Sequence, residues 1–535
     1  MLRPAVLLKR SLIFAHRWLG VALSVIFLLW FVSGIVIMYW SYPDVTAEDR
    51  LRRAPVLDPT TLKVSPEDAY KALGRDQSPG AVCVNSFDGR PVYRFDGGCG
   101  GSGGAIVFAD DGTSPRIDEA TIDRAAAAWT GLPFSAAMKE PVEEVDQWTV
   151  GELRTVRPLY KYSWPDGQQV YVNGNTAEVA QYTTTASRFW AYLGAIPHWL
   201  YFTPLRKHPA EWFSFVVWSS LVGTVAALMG VVIAVWMYSP LKRYRYASAP
   251  TSVPYRGWKR WHMIIGLFFG VVTTTWAFSG LLSMGPFPIM NRLTEITVRS
   301  ESPSTDGAVD ARLGGETPDM TGALRGSGEF RLASYSAKPA STAIASLGDF
   351  EVKEVEYTSF GGNGFYLASN GNRETRVVPV TGAPRTSFEI DELVRVVREA
   401  AGSSVAELRV LEEYDAYYLD RRRERPLPVI HVRMNDAAST RYYIDPKTAR
   451  VVGTYDAREW VSRWLYHGLH SLDFPWLYKH RPLWDIVVIT LMLGGTAICV
   501  TSLVLTWRVL VRKLVGLVPV RLNPPNEDLA VDTKS

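Results

Sequence analysis

The chain has 535 residues and a formal net charge of +4, a positive excess too small to predict nucleic-acid binding. The length allows several domains, and a mean hydropathy of zero averages long apolar runs with polar segments. Many of the 19 Trp and 25 Tyr residues flank the apolar runs, as in the aromatic belts of membrane proteins.

The first apolar run covers residues 11–40 and follows Lys9 and Arg10. It is longer than a typical signal-peptide core and no small-residue cleavage site follows it, so we expect an uncleaved membrane helix. Three more runs of spanning length cover about residues 212–237, 262–285 and 484–507. The sequence therefore predicts a membrane α-helical bundle of four main transmembrane helices, with two α+β domains outside the bilayer.

The short loop between the second and third runs fixes the orientation. Residues 241–261 contain basic residues and no Asp or Glu: Lys242, Arg243, Arg245, Arg256, Lys259 and Arg260. Short basic loops stay in the cytoplasm. We therefore expect a multi-pass protein of a bacterial inner membrane, with both termini in the cytoplasm and both long segments in the periplasm.

This orientation divides the chain into eight parts. They are the N-terminal segment with the first span (1–40), the first periplasmic domain (41–195), a His-bearing segment with the second span (196–240), the basic cytoplasmic loop (241–261), the third span (262–285), a linker with the second periplasmic domain (286–460), a His-bearing segment with the fourth span (461–510) and a cytoplasmic tail (511–535).

The first long segment combines helix and strand signals. Ser65, followed by Pro66 and Glu67, is a typical helix start, and residues 91–95 are typical of a strand. Cys83 and Cys99 are close in the chain and face an oxidising compartment, so we expect a disulfide worth about 3 kcal/mol, with free thiols as the alternative.

The second long segment begins with residues rich in Ser, Gly, Pro and Asp, about 299–328, which predict a flexible linker. A helix is expected over residues 387–401 and strands over 427–432 and 440–446. The polar residues from about 522 onward are expected to be disordered.

Two stretches of the chain repeat. Residues 16–34 recur as residues 262–280, with His, Gly, Trp, Ser and Gly at the same offsets. His198, Lys207-His208, Trp212 and Gly223 recur in the same way as His470, Lys479-His480, Trp484 and Gly495. The chain is therefore predicted to contain two pseudo-repeats, each with a His-bearing span, a long outer segment, a second His and a second span.

Seven of the eight His residues lie in or beside these spans. Ionisable residues at membrane depth are costly and usually functional, although any single one could serve only to bond a neighbouring helix. His16 and His262 lie toward the cytoplasmic face, and His198 and His470 toward the periplasmic face. Each face therefore receives one His from each repeat, as in cofactor sites built between facing helices.

Paired imidazoles in an apolar setting favour haem iron over structural zinc, which usually takes four ligands and often Cys. The chain has no Cys-x-x-Cys-His motif, so the predicted cofactor is b-type haem, one per His pair. Gly20, Gly34, Gly266 and Gly280 would leave room for the macrocycle or serve close helix packing. Arg17, Lys259 and Arg260 would either meet the propionates or act as positive-inside anchors. His208, His480 and His467 are alternative ligands or line the substrate entry, and His431 is read as a strand residue without a special role.

Two haems at opposite faces would form an electron path across the bilayer. The predicted cytoplasmic parts are too short for a flavin or NAD domain. The electron donor is therefore expected to be a membrane quinol or a separate reductase.

At these residues the chain resembles the PepSY-associated transmembrane family of bacterial inner-membrane proteins. The matching stretches are residues 16–20 (HRWLG), 194–201 (GAIPHWLY), 467–475 (HGLHSLDFP) and, as the end of a PepSY domain, 442–446 (YYIDP). The family includes siderophore reductases that carry haem between transmembrane helices and release periplasmic iron as Fe(II). The resemblance implies two PepSY-like periplasmic domains, His16, His198, His262 and His470 as axial ligands, and a ferric siderophore or other ferric chelate as substrate.

Two other functions fit the same sequence. PepSY domains are associated with peptidases, so the chain could be a membrane protein that binds peptides or regulates a protease without redox activity. It could also transport haem or iron through transient His ligands, although the spans carry no Asp, Glu or Lys between the His pairs to line a polar path.

Overall fold

A computed structural model of the protein describes residues 4–75, 78–99, 104–246, 249–285, 320–326, 331–401, 404–420, 423–460 and 462–515. Contacts divide the chain into two compact units. The membrane unit comprises Met1–Tyr42, Ala186–Thr294 and Trp460–Ser535, and the sheet unit comprises Pro43–Thr185 and Glu295–Glu459.

The described α-helices are α1 (Pro4–Ile37), α2 (Ala47–Arg53), α3 (Pro66–Lys71), α4 (Glu119–Thr130), α5 (Thr185–Leu193), α6 (Ala195–Trp199), α7 (Thr203–Arg206), α8 (Pro209–Met237), α9 (Gly257–Ser283), α10 (Met320–Arg325), α11 (Ala340–Ala345), α12 (Ile390–Ala401), α13 (Leu469–Ser471), α14 (Pro475–Tyr478) and α15 (Leu483–Val515). A π-helix covers Ser462–Gly468, immediately before α13.

The described strands are β1 (Val82–Phe87), β2 (Arg90–Phe95), β3 (Ala105–Phe108), β4 (Met138–Pro141), β5 (Leu159–Ser163), β6 (Gln169–Asn173), β7 (Val179–Thr183), β8 (Tyr244–Tyr246), β9 (Ala249–Thr251), β10 (Glu354–Phe360), β11 (Asn363–Ser369), β12 (Thr375–Pro379), β13 (Val405–Leu411), β14 (Val429–Met434), β15 (Arg441–Asp445) and β16 (Arg450–Tyr455).

Among the described residues, four helices are long and apolar enough to cross a membrane, namely α1, α8, α9 and α15, which confirms the four predicted spans. Helix α15 continues beyond its apolar run because Arg508, Arg512 and Lys513 are good helix formers and favour the negative end of the helix dipole. Helix α9 begins at Gly257, inside the predicted basic loop, whose remaining part contains the β8–β9 hairpin.

The four long helices pack as a closed bundle in which α1 contacts α8 and α15, and α9 contacts the same two helices. Glycines allow aromatic rings to approach the helix backbones. A Cβ on Gly223 would lie 2.7 Å from the Phe27 ring, and one on Gly495 would lie 2.4 Å from the Phe31 ring. These rings, with Trp276, form a buried aromatic cluster in the middle of the bundle.

The sheet unit does not separate into the two predicted domains. Its largest sheet has six strands in the order β12-β11-β10-β1-β2-β3, so each long segment contributes three of them. Strands β1 and β10 join the halves through antiparallel pairs such as Val82 with Tyr357 and Val84 with Val355. An unpaired edge strand exposes a row of backbone N–H and C=O groups. The pairing of β1 with β10 satisfies these groups along the facing edges of both strands.

The order of elements is the same in both long segments. A three-stranded meander is followed by a helix and a four-stranded antiparallel sheet, which is β1–β3, α4 and β4–β7 in the first segment and β10–β12, α12 and β13–β16 in the second. Helix α4 packs on β6, and α12 packs on β13. Each half therefore builds its own helix-covered sheet in addition to its share of the joint sheet.

A polar cluster lies beside the joint between β1 and β10. Arg94 is buried and donates to Asn85 at 2.9 Å and to Glu178 at 2.7 Å. Burial, followed by the carboxylate of Glu356, raises the pKa of the nearby Glu354 to about 7. The predicted disulfide between Cys83 and Cys99 is present in the structure. It links β1 to the segment that follows β2.

Two predicted local elements are present, and part of the predicted linker is helical. Ser65 is the N-cap of α3, as expected, and α12 occupies most of the predicted helix at residues 387–401. Residues 320–325 of the predicted linker form α10, whose Met320 and Leu324 are buried in an apolar core. Most of that linker and the tail from residue 522 lie outside the described residues.

One boundary also differs. Residues 186–195 were assigned to the first outer domain but belong to the membrane unit. The reason is aromatic packing, because Trp190 stacks on Trp40 with ring centroids 3.9 Å apart.

Candidate functional site

The first candidate site is the loop-side pair, His16 on α1 and His262 on α9. Their ring centroids are 6.2 Å apart and their planes differ by 36°. Both side chains are partly buried in the bundle near the end that carries the β8–β9 hairpin. Each His lies in a continuous helix, so its position follows directly from helix packing.

The second candidate site is the domain-side pair, His198 on α6 and His470 on α13, at the opposite end of the bundle. Their ring centroids are 6.1 Å apart and their planes differ by 62°. Both short helices end two residues later at a leucine in the left-handed region, with φ of 54° at Leu200 and 52° at Leu472. A non-glycine residue rarely adopts this conformation, and here it ends both His-bearing helices in the same way.

All four His residues present Nδ1 to an oxygen of another helix of the bundle. The contacts are His16 with the Ala226 carbonyl (2.9 Å), His262 with Thr501 Oγ1 (2.9 Å), His198 with the Trp30 carbonyl and Ser33 Oγ (both 3.2 Å) and His470 with Ser279 Oγ (3.0 Å). In both halves, therefore, the His and its oxygen partner come from the same sequence repeat.

Each hydroxyl partner has one proton and directs it to a carbonyl of its own helix, so toward a protonated Nδ1 it acts as the acceptor. These bonds run from Ser33 to the Leu29 carbonyl (2.5 Å), from Ser279 to the Trp276 carbonyl (3.1 Å) and from Thr501 to the Ala497 carbonyl (3.0 Å). Backbone carbonyls likewise only accept. The surroundings therefore favour the tautomer with hydrogen on Nδ1, which leaves the lone pair on Nε2 for a metal.

The spacing of both pairs matches two imidazoles on opposite sides of one metal ion. A ligating His nitrogen lies about 2 Å from the metal and the ring centre about 1 Å farther, so the two centroids should be about 6 Å apart. The measured values are 6.2 and 6.1 Å. The donor set at each end thus fits haem iron, which the two imidazoles of a pair would hold.

The glycines near these rings have two different environments. A Cβ on Gly230 would lie 2.7 Å from His16 Cε1, and one on Gly34 would lie 3.5 Å from His198 Cε1. Gly230 therefore makes room for the His16 imidazole, whereas the nearest neighbour of a Cβ on Gly34 is Met492 Cε at 3.0 Å. A Cβ on Gly266 would meet no described atom within 4 Å, so this position borders open space beside the loop-side pair. Gly280 lies near His470 and Gly20 near Ser502.

Of the other three predicted site histidines, two are exposed at helix starts and one lies next to the domain-side pair. His208 and His480 are exposed at the starts of α8 and α15, and His480 Nδ1 lies 2.7 Å from the Trp476 carbonyl. His467 is in the π-helix, and its ring contacts Tyr466, which also contacts the His470 ring. His467 is therefore next to the domain-side pair.

The two predicted site arginines, Arg17 and Arg260, contact nearby aromatic rings and a hydroxyl group. Arg17 is exposed and lies over the Phe14 and Trp18 rings, and Arg260 donates to Thr251 Oγ1 at 3.0 Å. His431 is buried in β14 beside Tyr443, which agrees with its reading as a strand residue.

The oxygen partners of the histidines were not predicted from the sequence. Ser33 and Ser279 could have been identified as candidates, because they recur at the same offset from His16 and His262. Thr501 has no repeated equivalent, and Ala226 acts through its backbone, so neither could be found from side-chain patterns.

The sequence model of one protein family, described as the PepSY-associated TM region, matches residues 14–357. This range includes both members of the loop-side pair and His198, and it ends before His470. No curated protein matches the chain.

Proposed function

Because the chain belongs to the PepSY-associated TM region family, we propose that it is an inner-membrane electron-transfer protein with two b-type haems. It would pass electrons across the bilayer to a ferric siderophore or another ferric chelate in the periplasm. The multi-pass membrane character is given by the family and by the four apolar helices; the haems, the direction and the substrate are the proposal.

The observation that carries the proposal is the matched spacing of the two His pairs, 6.2 and 6.1 Å between ring centroids. One pair could arise from helix packing alone. Two pairs with the same spacing, at opposite ends of the bundle and with every Nδ1 held by an oxygen, are better explained by two equivalent axial ligand sets. Each haem, when bound, would supply a centre that gains and loses one electron.

The chain itself would hold and separate the two centres. Along α1, His16 is about 21 Å from Trp30, which contacts the domain-side pair. The buried cluster of Phe27, Phe31 and Trp276 fills the bundle between these levels. The apolar filling would keep water and free ions from crossing while electrons pass between the two His pairs.

The charges of the ends support the direction. The basic hairpin loop, the N-terminus and the end of α15 would lie in the cytoplasm by the positive-inside rule. Electrons would then enter at the loop-side pair from a quinol or a separate reductase and leave at the domain-side pair. Each electron delivered reduces one Fe(III) to Fe(II), which hard oxygen chelators hold less tightly, so iron would be released.

The proposal is tested with the full-length protein in liposomes. The reduced protein is mixed anaerobically with a ferric hydroxamate, and Fe(II) is trapped with a ferrous-specific dye. We expect the reduced haem bands to disappear as one Fe(II) appears per haem oxidised.

Exposed and paired histidines give matched variants for this test. His480→Ala should behave as the wild type, and His470→Ala should lose the reaction. Reduced haem bands that persist with every ferric chelate would overturn the reductase function. A colourless protein would overturn the haem assignment and favour peptide binding.

A further inference from the structure

We infer that Ser33, Ser279 and Thr501 are positioning residues that hold the ligand tautomer and set the redox potential of the iron bound at each His pair. This inference rests on the proposed function, since it concerns the same two sites. It assigns a role to hydroxyls that carry no ligand atom themselves.

The direction of the hydrogen bonds defines the role of each hydroxyl. Each hydroxyl donates its proton to a carbonyl of its own helix, so it meets the imidazole as an acceptor. A hydroxyl that donates in this way is polarised and becomes a better acceptor. The Nδ1–H of His470 and His262 therefore lies against a hydroxyl oxygen with an increased partial negative charge, at 3.0 and 2.9 Å.

The hydroxyl oxygen would act on the iron through the imidazole. Hydrogen bonding from Nδ1–H increases the electron density at Nε2, as second-shell acceptors do for metal-bound His in general. A more electron-rich ligand stabilises Fe(III) relative to Fe(II) and lowers the reduction potential. Removal of the acceptor should raise the potential of the haem that the His binds, and should leave the other haem unchanged.

Each hydroxyl belongs to one His pair. Ser33 and Ser279 lie 3.2 and 3.0 Å from the Nδ1 atoms of His198 and His470, and Thr501 lies 2.9 Å from that of His262. Replacement of Ser33 or Ser279 should therefore shift only the domain-side potential. Thr501 should shift only the loop-side potential.

The competing interpretation is that these hydroxyls only bond their own helices, as Ser and Thr often do in apolar helices. Two threonines serve as matched controls. Thr274 on α9 donates to the Gly270 carbonyl at 2.8 Å, and Thr496 on α15 donates to the Met492 carbonyl at 2.9 Å. They make the same bond on the same helices as Ser279 and Thr501.

The experiment is an optical redox titration of the full-length protein in detergent. To separate the haems, Ser279→Ala and Ser33→Ala are also placed in a His16→Ala background, which keeps only the domain-side pair, and Thr501→Ala in a His470→Ala background. We expect a higher domain-side potential for Ser279→Ala and for Ser33→Ala, and a higher loop-side potential for Thr501→Ala. Ser279→Thr and Thr501→Ser should restore the wild-type values, and Thr274→Ala and Thr496→Ala should match the wild type.

The outcomes distinguish this inference from the proposed function. Two haems in the wild type with unchanged potentials in Ser279→Ala and Thr501→Ala, or equal shifts in the threonine controls, would overturn the positioning role alone. Loss of haem in Ser279→Ala with retention in Ser279→Thr would support it. A wild-type protein without haem would overturn both.

Discussion

The membrane unit and the sheet unit join the two halves of the chain by different means. In the membrane unit, the halves meet through side chains, since each His pair takes one ring from each half. In the sheet unit, they meet through the backbone ladder between β1 and β10. The side-chain junction depends on particular residues, whereas the ladder can form between many sequences. Single substitutions should therefore disrupt a His pair and leave the ladder largely intact.

The largest expected effect is at the His pairs. His16→Ala and His470→Ala should each lose one of two haems, because an iron with one axial His is held much less firmly. The measurement is haem content per chain after purification, with His208→Ala and His480→Ala as exposed controls. The protease resistance of the sheet unit should stay as in the wild type. Unchanged haem content in both ligand variants would contradict the assignment of the His pairs as ligands.

The next effect is confined to the sheet unit. Replacement of Cys83 and Cys99 together by Ala should lower the free energy of unfolding by about 3 kcal/mol, because the disulfide restricts the unfolded chain. Denaturant-dependent proteolysis of the full-length protein measures the change. Cys499→Ala, at a buried free thiol of the membrane unit, is the control. A loss of haem in the double variant would show that the units depend on each other.

A smaller effect should be confined to the membrane unit. Gly495→Ala places a Cβ 2.4 Å from the buried Phe31 ring, and relief of that overlap should cost about 1–3 kcal/mol. Gly266→Ala, where no described atom lies within 4 Å, should be tolerated. Thermal stability in detergent, followed by size-exclusion chromatography, compares the two. Equal losses would show that the open space at Gly266 is filled in the native protein.

The smallest effect is a pH dependence of the sheet unit. Glu354 has a folded pKa of about 7, above its ordinary value of 4.5. A raised carboxyl pKa contributes stability below pH 4.5, and that contribution is lost as the pH rises through 7. Between these two values the sheet unit should lose up to about 1.4 kcal/mol for each unit of pH. Denaturant unfolding at several pH values should show a flatter profile in Glu354→Gln than in the exposed control Glu412→Gln; parallel profiles would refute the account.

The difference between the two junctions also explains which features could be predicted from the sequence. The four spans could be located because bilayer thickness imposes a long apolar run, which few other structures need. The pairing of His16 with His262 and of His198 with His470 was predicted from repeat offsets and from depth, and the structure brings both pairs together. Their role as ligands remains a prediction.

The rest depended on contacts that leave no pattern in the chain. The ladder between β1 and β10 joins residues far apart in sequence through backbone groups that every residue type carries. For that reason the outer segments were predicted as two domains and not as one joint sheet. The same holds for the Ala226 carbonyl, which holds His16 without any side-chain signal.

The most direct test of the central claim is the visible spectrum of the detergent-purified protein, oxidised and then reduced with dithionite, with a pyridine haemochrome assay for stoichiometry. Two His pairs with the spacing of axial ligands predict sharp six-coordinate b-type bands at about two haems per chain. A colourless protein, even after expression with added haem, would contradict the account.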